Sequence, residues 1–103
     1  MNKIAALTEI LTADPANAFA RYGLAMEHAA QNNPDLALTE FTILIHHQPD
    51  YVPAYQMSAQ TLAKLGRNDE AIARLKEGLV AAQRANNAHA ASEMQALLDD
   101  LSA

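Results

Sequence analysis

The sequence predicts an all-α protein: about six helices arranged in pairs, in one domain of 103 residues. Three observations predict it. Apolar residues recur three and four places apart in six successive stretches. A proline, an Asn-Asn pair or a glycine separates each stretch from the next. The chain also repeats itself at an offset of 34 residues. No segment alternates apolar and polar residues as a half-buried strand does.

The first helix, about 2–12, places Ile4, Leu7, Ile10 and Leu11 on one face. Asp14-Pro15 stops it, because proline disfavours helix in the residue before it. The second, about 18–31, follows Asn17 as N-cap. It has two stripes, Phe19, Tyr22, Met26 and Ala29 or Ala30 on one, and Ala20, Leu24, Ala25 and His28 on the other, so it packs on two sides. Asn32-Asn33 ends it, since asparagine tolerates left-handed backbone.

The third helix, about 34–47, has Asn33 as its cap and Pro34 at its first position, where a missing N–H costs nothing. Leu36, Ala37, Phe41, Leu44 and Ile45 form its expected buried face, and Gln48-Pro49-Asp50 ends it. The fourth, about 52–65, has Pro53 in its first turn and Gly66 as its stop signal. The fifth begins after Asn68 with Asp69 and Glu70 in the first turn, where carboxylates suit the helix dipole. It runs to about 84 through Ala71, Ile72, Leu75, Leu79 and Val80, and Asn86-Asn87 break it. The sixth, about 88–101, sets Ala91, Met94, Leu98 and Leu101 on one side.

The internal repeat matches Pro15 with Pro49, Ala20 with Ala54, Ala25 with Ala59, Ala37 with Ala71, Phe41 with Leu75 and Ile45 with Leu79. Helix boundaries match at the same offset. A period of this length means stacked helix pairs, each burying its apolar face on the next.

On these residues the chain resembles the tetratricopeptide repeat family. The first full unit, 18–51, shows Leu24-Ala25, His28, Ala37-x3-Phe41 and Pro49. The second, 52–85, shows Tyr55, Ala59, Leu62 and Ala71-x3-Leu75. The stretch Leu65-Gly66-Arg67-Asn68-Asp69-Glu70-Ala71 is the most family-like. The small pairs Ala25 with Ala37, and Ala59 with Ala71, stand where the two helices of a unit touch. Several positions depart from the pattern. Arg21 replaces a bulky aromatic, Ser58 replaces a leucine, and Gln83 occupies the closing proline position. Residues 1–13 fit the second helix of a preceding pair, with Leu7 in register. Residues 86–103 fit a lone capping helix with a solvated outer face, and Glu93 falls where a small residue belongs. The resemblance implies a right-handed α-solenoid of antiparallel helix pairs: an N-terminal half-unit, two full units and a C-terminal cap.

The resemblance also implies a function, protein–protein interaction through a concave groove lined by the first helix of each pair. By register that groove takes Phe19, Tyr22, Met26, Ala29 and Ala30 from the first unit. From the second it takes Pro53, Gln56, Gln60, Ala63 and Lys64. The cap helix adds Asn87, Ala90, Met94 and Leu97. Aromatic and thioether side chains suit an apolar ligand anchor, Gln56 and Gln60 suit a peptide backbone, and Lys64 suits a carboxylate. An alternative role for Phe19 and Met26 is packing against a neighbouring helix or a terminus. Family members that grip a terminal carboxylate use Lys, Asn and Arg in the groove. The corresponding positions here hold Tyr22, Met26, Gln56 and Gln60, which disfavours that mode. Self-association through the same groove, as a homodimer or scaffold, is the competing reading, and the chain as part of a larger assembly is a third.

Composition narrows the classes further. The net charge is −5, where a nucleic-acid binder carries a basic excess. Residues 4–63 hold one basic side chain, Arg21, against Glu9, Asp14, Glu27, Asp35, Glu40 and Asp50. Residues 64–84 hold Lys64, Arg67, Arg74, Lys76 and Arg84. These charges read either as solvated faces or as an acidic end and basic middle that steer a partner. No stretch approaches the ~20 apolar residues of a membrane span, and Thr8-Glu9 interrupts the apolar N-terminal run before it resembles a signal peptide. The absence of cysteine excludes disulfides and thiolate metal sites and fits a reducing, cytoplasmic setting. His46 and His47 are adjacent and share no helix face, and no His-x3-His pair exists, so no metal or cofactor is expected. No nucleophile turn, phosphate loop or convergent acid–base set appears, so the chain is expected not to be an enzyme. Gly78 lies at a family position that favours small residues. Gly23, also mid-helix, has no evident reason in the sequence.

Overall fold

In the computed structural model, which describes residues 2–103, six α-helices follow one another. They are α1 (Lys3–Ala13), α2 (Ala18–Ala30), α3 (Pro34–His47), α4 (Val52–Lys64), α5 (Asn68–Arg84) and α6 (Ala88–Ser102). No strand occurs among the described residues. The chain divides into two compact units, Met1–Gln48 and Pro49–Ala103. In the first, α2 packs on α1 and α3; in the second, α5 packs on α4 and α6, and α4 also meets α6.

Backbone chemistry at the punctuation residues sets these boundaries. Asn32 (φ 61°), Gly66 (φ 76°) and Asn86 (φ 54°) are left-handed. After α2, the Asn33 N–H donates to His28 O (2.9 Å) and the Asn32 N–H to Ala29 O (3.1 Å). After α4, Arg67 N–H donates to Leu62 O and Gly66 N–H to Ala63 O; after α5, Asn87 N–H donates to Ala82 O and Asn86 N–H to Gln83 O. Each is the paired closing motif that satisfies orphan helix-end carbonyls. Ahead of the prolines the ends differ. Asp14 and Gln48 are extended (φ −141° and −136°), and each N–H closes one last bond, to Ile10 O and Leu44 O, before Pro15 and Pro49 forbid another turn.

The starts are capped by Asn2, Asn17 and Asn87, whose side chains accept from the N–H groups of Ala5, Ala20 and Ala90. Asn33 stands at the N-cap of α3 but its side chain makes no cap bond. It precedes Pro34, whose ring crowds the preceding residue's Cβ. The expected cap is therefore one of position only.

The small residues Ala25, Ala37, Ala59 and Ala71 are all fully buried, so the helices of each pair touch there. Phe41 and Leu75, at the same register position, are fully buried too, each contributing about 1.5–3 kcal/mol by leaving water. Leu11, Ala20 and Leu24 form a cluster flanked by Ile4 and Leu7. The apolar pattern over-counted the core in places. Leu36, expected on a buried face, is 52% exposed, and Val80 and Ile10, counted in the apolar patterns of their helices, are 51% and 45% exposed. Each extends a stripe wider than the neighbouring helix covers.

The third closing proline is absent, and the structure shows the result. With Gln83 in its place, α5 continues to Arg84, three residues past the position equivalent to His47 at the end of α3. Helix α6 then starts two positions later than a strict 34-residue repeat requires. This places Met94, not Glu93, in the core. Met94 is fully buried, Ala90 nearly so, and Glu93 is exposed. The expectation that Ala90 and Met94 line a binding face is thus corrected.

Candidate functional site

Helix α2 presents two faces. Ala20, Leu24 and Ala25 are buried. The opposite stripe carries the residues expected to bind. Phe19, in the first turn behind the Asn17 cap, is 80% exposed. Tyr22, Met26 and Ala29 are half-buried and Ala30 is exposed. The Tyr22 ring lies 6.1 Å from Phe41, tilted by 59°, an aromatic contact that rests the phenol against the core of its own unit. Phe19 stands out from the rest, because water covers most of a side chain that gains by leaving it.

Helix α4 is built differently. Val52, Ala54, Tyr55, Ser58, Ala59 and Leu62 are buried. Pro53 and Lys64 are exposed at its two ends, with Gln56, Gln60 and Ala63 half-buried between them. Ser58, where the family pattern has leucine, is satisfied by donating to Tyr55 O at 3.1 Å. Gln56 and Gln60 are one turn apart, so their carboxamides share a face.

Arg21 and Tyr55 are register equivalents, and both serve the turn before their helix. The Arg21 guanidinium donates to Pro15 O (3.0 Å) and to Glu40 Oε1 (2.6 Å). The Tyr55 hydroxyl donates to Pro49 O (2.6 Å). Burial pushes the Tyr55 hydroxyl's pKa up from its ordinary value, with the Glu77 carboxylate adding to the shift. The departure at Arg21 is therefore a structural substitute for the aromatic, and the guanidinium is committed to its own unit. Sequence reasoning missed this pairing, although Arg21 is the one basic residue between positions 4 and 63.

The histidines converge on nothing. His46 and His47 are exposed, and His89 faces Glu93 at 3.1 Å one turn along α6. Among the described residues no group of three or more His, Asp or Glu side chains is placed to hold a metal, and no helix is long and apolar enough to cross a membrane. His28 is half-buried, with Nδ1 buried and without a hydrogen bond. The depressed pKa of Glu70 follows from the hydrogen bonds Arg67 donates to it across one turn. Two concavities lie in the second unit, and of the expected residues they include Asn87 alone. One, about 380 Å³, is lined by Ala82, Gln83, Asn86, Asn87, Ala88 and Ala91. The other, about 300 Å³, is lined by the loop and first turn from Gly66 to Glu70.

A scan against protein-family models gives no match, and neither does a search of curated proteins. Solved structures do match. A tetratricopeptide repeat domain protein from Salinibacter ruber, determined in solution, is 33% identical; the match covers 85% of this chain and 89% of that one, with a TM-score of 0.80. The crystal structure of the tetratricopeptide repeat domain protein from the same organism is 31% identical over 84% of this chain and 97% of that one, at 0.79. The TPR2B domain of yeast Sti1, in its complex with pHsp70, shares the fold at a TM-score of 0.89 with 22% identity, over 96% of this chain and 79% of that one. With six helices, no strand among the described residues, small residues at the helix crossings and this identity over most of the length, the chain belongs to the tetratricopeptide repeat family.

Proposed function

We propose that the protein is a non-enzymatic interaction module that holds a peptide segment of another protein. The residues that would contact it are Phe19, Tyr22, Met26, Ala29 and Ala30 of α2, and Pro53, Gln56, Gln60, Ala63 and Lys64 of α4. One observation carries the reading: Phe19 is 80% exposed in the first turn of a helix capped by Asn17. An aromatic ring held there without cover suits insertion into a ligand, and such anchors dominate interface energy. The neutral carboxamides of Gln56 and Gln60 supply donors and acceptors for a peptide backbone. The fold supports the reading by analogy. Structural neighbours include the Sti1 domain with pHsp70 and the first repeat domain of RPAP3 bound to the HSP90 peptide SRMEEVD. The cysteine-free composition suits a cytoplasmic setting.

Selection from a random peptide library, followed by affinity measurement on variants, tests this. Phe19→Ala should weaken selected peptides about tenfold, and Gln56→Ala with Gln60→Ala should weaken them further. Peptides that bind all these variants equally place the site elsewhere. Sedimentation at several concentrations separates the competing reading: self-association lost in Phe19→Ala means that a second copy covers the ring.

A further inference from the structure

The peptide reading leaves open the chemistry of the segment, and the charges of the first unit address it. That unit holds five carboxylates, Glu9, Asp14, Glu27, Asp35 and Glu40, against two cations, Lys3 and Arg21, for a net −3. Arg21 is 13% exposed and bound to Glu40, so it offers nothing to a ligand. Lys3 lies 4.0 Å from Glu27 at the start of α1. From Tyr22 to Ala63 there is no lysine or arginine at all. An acidic segment, or a terminal carboxylate, finds no available cation on α2.

The same face attracts positive charge in three ways. The exposed Phe19 ring presents a π-face to a lysine or arginine head group. Glu27, next to Met26 in the sequence, carries a carboxylate that the exposed Lys3 ammonium (4.0 Å) and the Gln31 carboxamide (3.4 Å) approach only loosely, so a partner cation can share it. The C-terminal end of α2, where Ala29 and Ala30 lie, is the negative end of the helix dipole. A second copy of this chain, at net −5, is repelled by the same field.

Resting on the peptide reading above, we propose that the Phe19–Tyr22–Met26 face receives a cationic amphipathic segment of another protein. Its apolar anchor lies on the ring and thioether, and its Lys or Arg side chains lie toward Glu27 and the end of α2.

Four synthetic peptides test this by fluorescence anisotropy with the whole protein. Three share one pattern of leucine and phenylalanine and differ in flanking residues: Lys/Arg, Ser/Gln, or Asp/Glu with a free carboxylate end. The fourth keeps the Lys/Arg residues but has no apolar ones. The expected result is that the first binds about tenfold or more tighter than the acidic peptide, with the difference shrinking as added salt shortens the screening length. Phe19→Ala should cost that peptide about tenfold. Glu27→Lys, at a half-buried surface position, should cost it about threefold or more, a larger loss than the Ser/Gln peptide suffers. Equal or tighter binding of the neutral or acidic peptide overturns the charge assignment and leaves the peptide reading standing. Equal binding of the fourth peptide overturns it as charge attraction without an anchor. No binding by any of the four overturns both.

Discussion

The two units solve one packing problem with opposite residues. In the first, the position at the start of α2 that faces the preceding turn is Arg21, and its partner on α3 is Glu40, at 2.6 Å. In the second, the equivalent positions hold Tyr55 and Arg74. The cation has moved from the first helix to the second. Both first-helix residues donate to the carbonyl of the preceding proline, Pro15 or Pro49. The later register position varies as well. The first unit has Leu44, which is 1% exposed, where the second has Gly78. A Cβ on Gly78 would lie 2.7 Å from Tyr55 Cβ and 2.7 Å from Met94 Sδ. The slim Arg21 stem accompanies a leucine, and the bulky phenol accompanies no side chain. The hydrogen bond to the proline carbonyl is kept while the residues around it change together.

Exchanging residues between the units should break this complementarity. Gly78→Leu, which gives the second unit the first unit's residue, should have the largest effect. The new side chain meets the rigid Tyr55 Cβ, and overpacking of that kind costs about 3 kcal/mol or more in urea denaturation. A result below about 1 kcal/mol would show that α5 slides freely and that the layers are not matched.

Tyr55→Arg comes next. It places a second guanidinium beside Arg74, whose Nη1 is already buried without a partner while its Nε lies 3.7 Å from Glu77. Adding Arg74→Glu rebuilds the pair seen in the first unit. A double-mutant cycle should give a favourable coupling of about 1–2 kcal/mol. Zero coupling would mean that register equivalence does not carry the interaction.

Gly23→Ala should have a smaller effect of opposite sign. A Cβ there meets Leu7 methyl carbons at 3.4 and 3.5 Å, ordinary contact, and helix propensity favours alanine by up to about 1 kcal/mol. Thermal denaturation should show a rise. The same residue change at Gly78 should lower stability, which separates the two helical glycines.

The mildest test uses pH. Tyr55 is raised above 10.0 by burial. A raised pKa in the fold means that its stabilisation is complete below the unfolded value and is lost as pH climbs through the folded value. Stability should therefore fall at strongly alkaline pH, and Tyr55→Phe should remove part of that fall, as followed by helical circular dichroism.

Residues that constrain the backbone made the fold readable in the sequence. Pro15, Pro49, the two Asn-Asn pairs and Gly66 force extended or left-handed geometry, so every helix end lies within about one residue of its expected place. Side-chain partnerships were less readable. Periodicity marks which residues share a stripe, but how much of that stripe a neighbour covers depends on tertiary packing, and Leu36 was therefore misjudged. Met94 was placed on the binding face because the count of 34 was carried past Gln83, where the missing proline lets α5 lengthen. The roles of Arg21 and Gly78 depended on partners 19 and 23 residues away, Glu40 and Tyr55. The exposure of Phe19 was legible, because an aromatic on the non-core stripe of an amphipathic helix has little of its own unit to cover it.

The run from Tyr22 to Ala63 without lysine or arginine has a practical consequence. Trypsin cutting after Arg21 and Lys64 releases α2 from Tyr22 onward, all of α3 and all of α4 as one fragment. Amine-directed reagents leave that fragment untouched except at Lys64. Mass shifts on it after labelling by carboxyl- or aromatic-directed chemistry therefore report on the helices proposed to meet the partner, with little background from the rest of the chain.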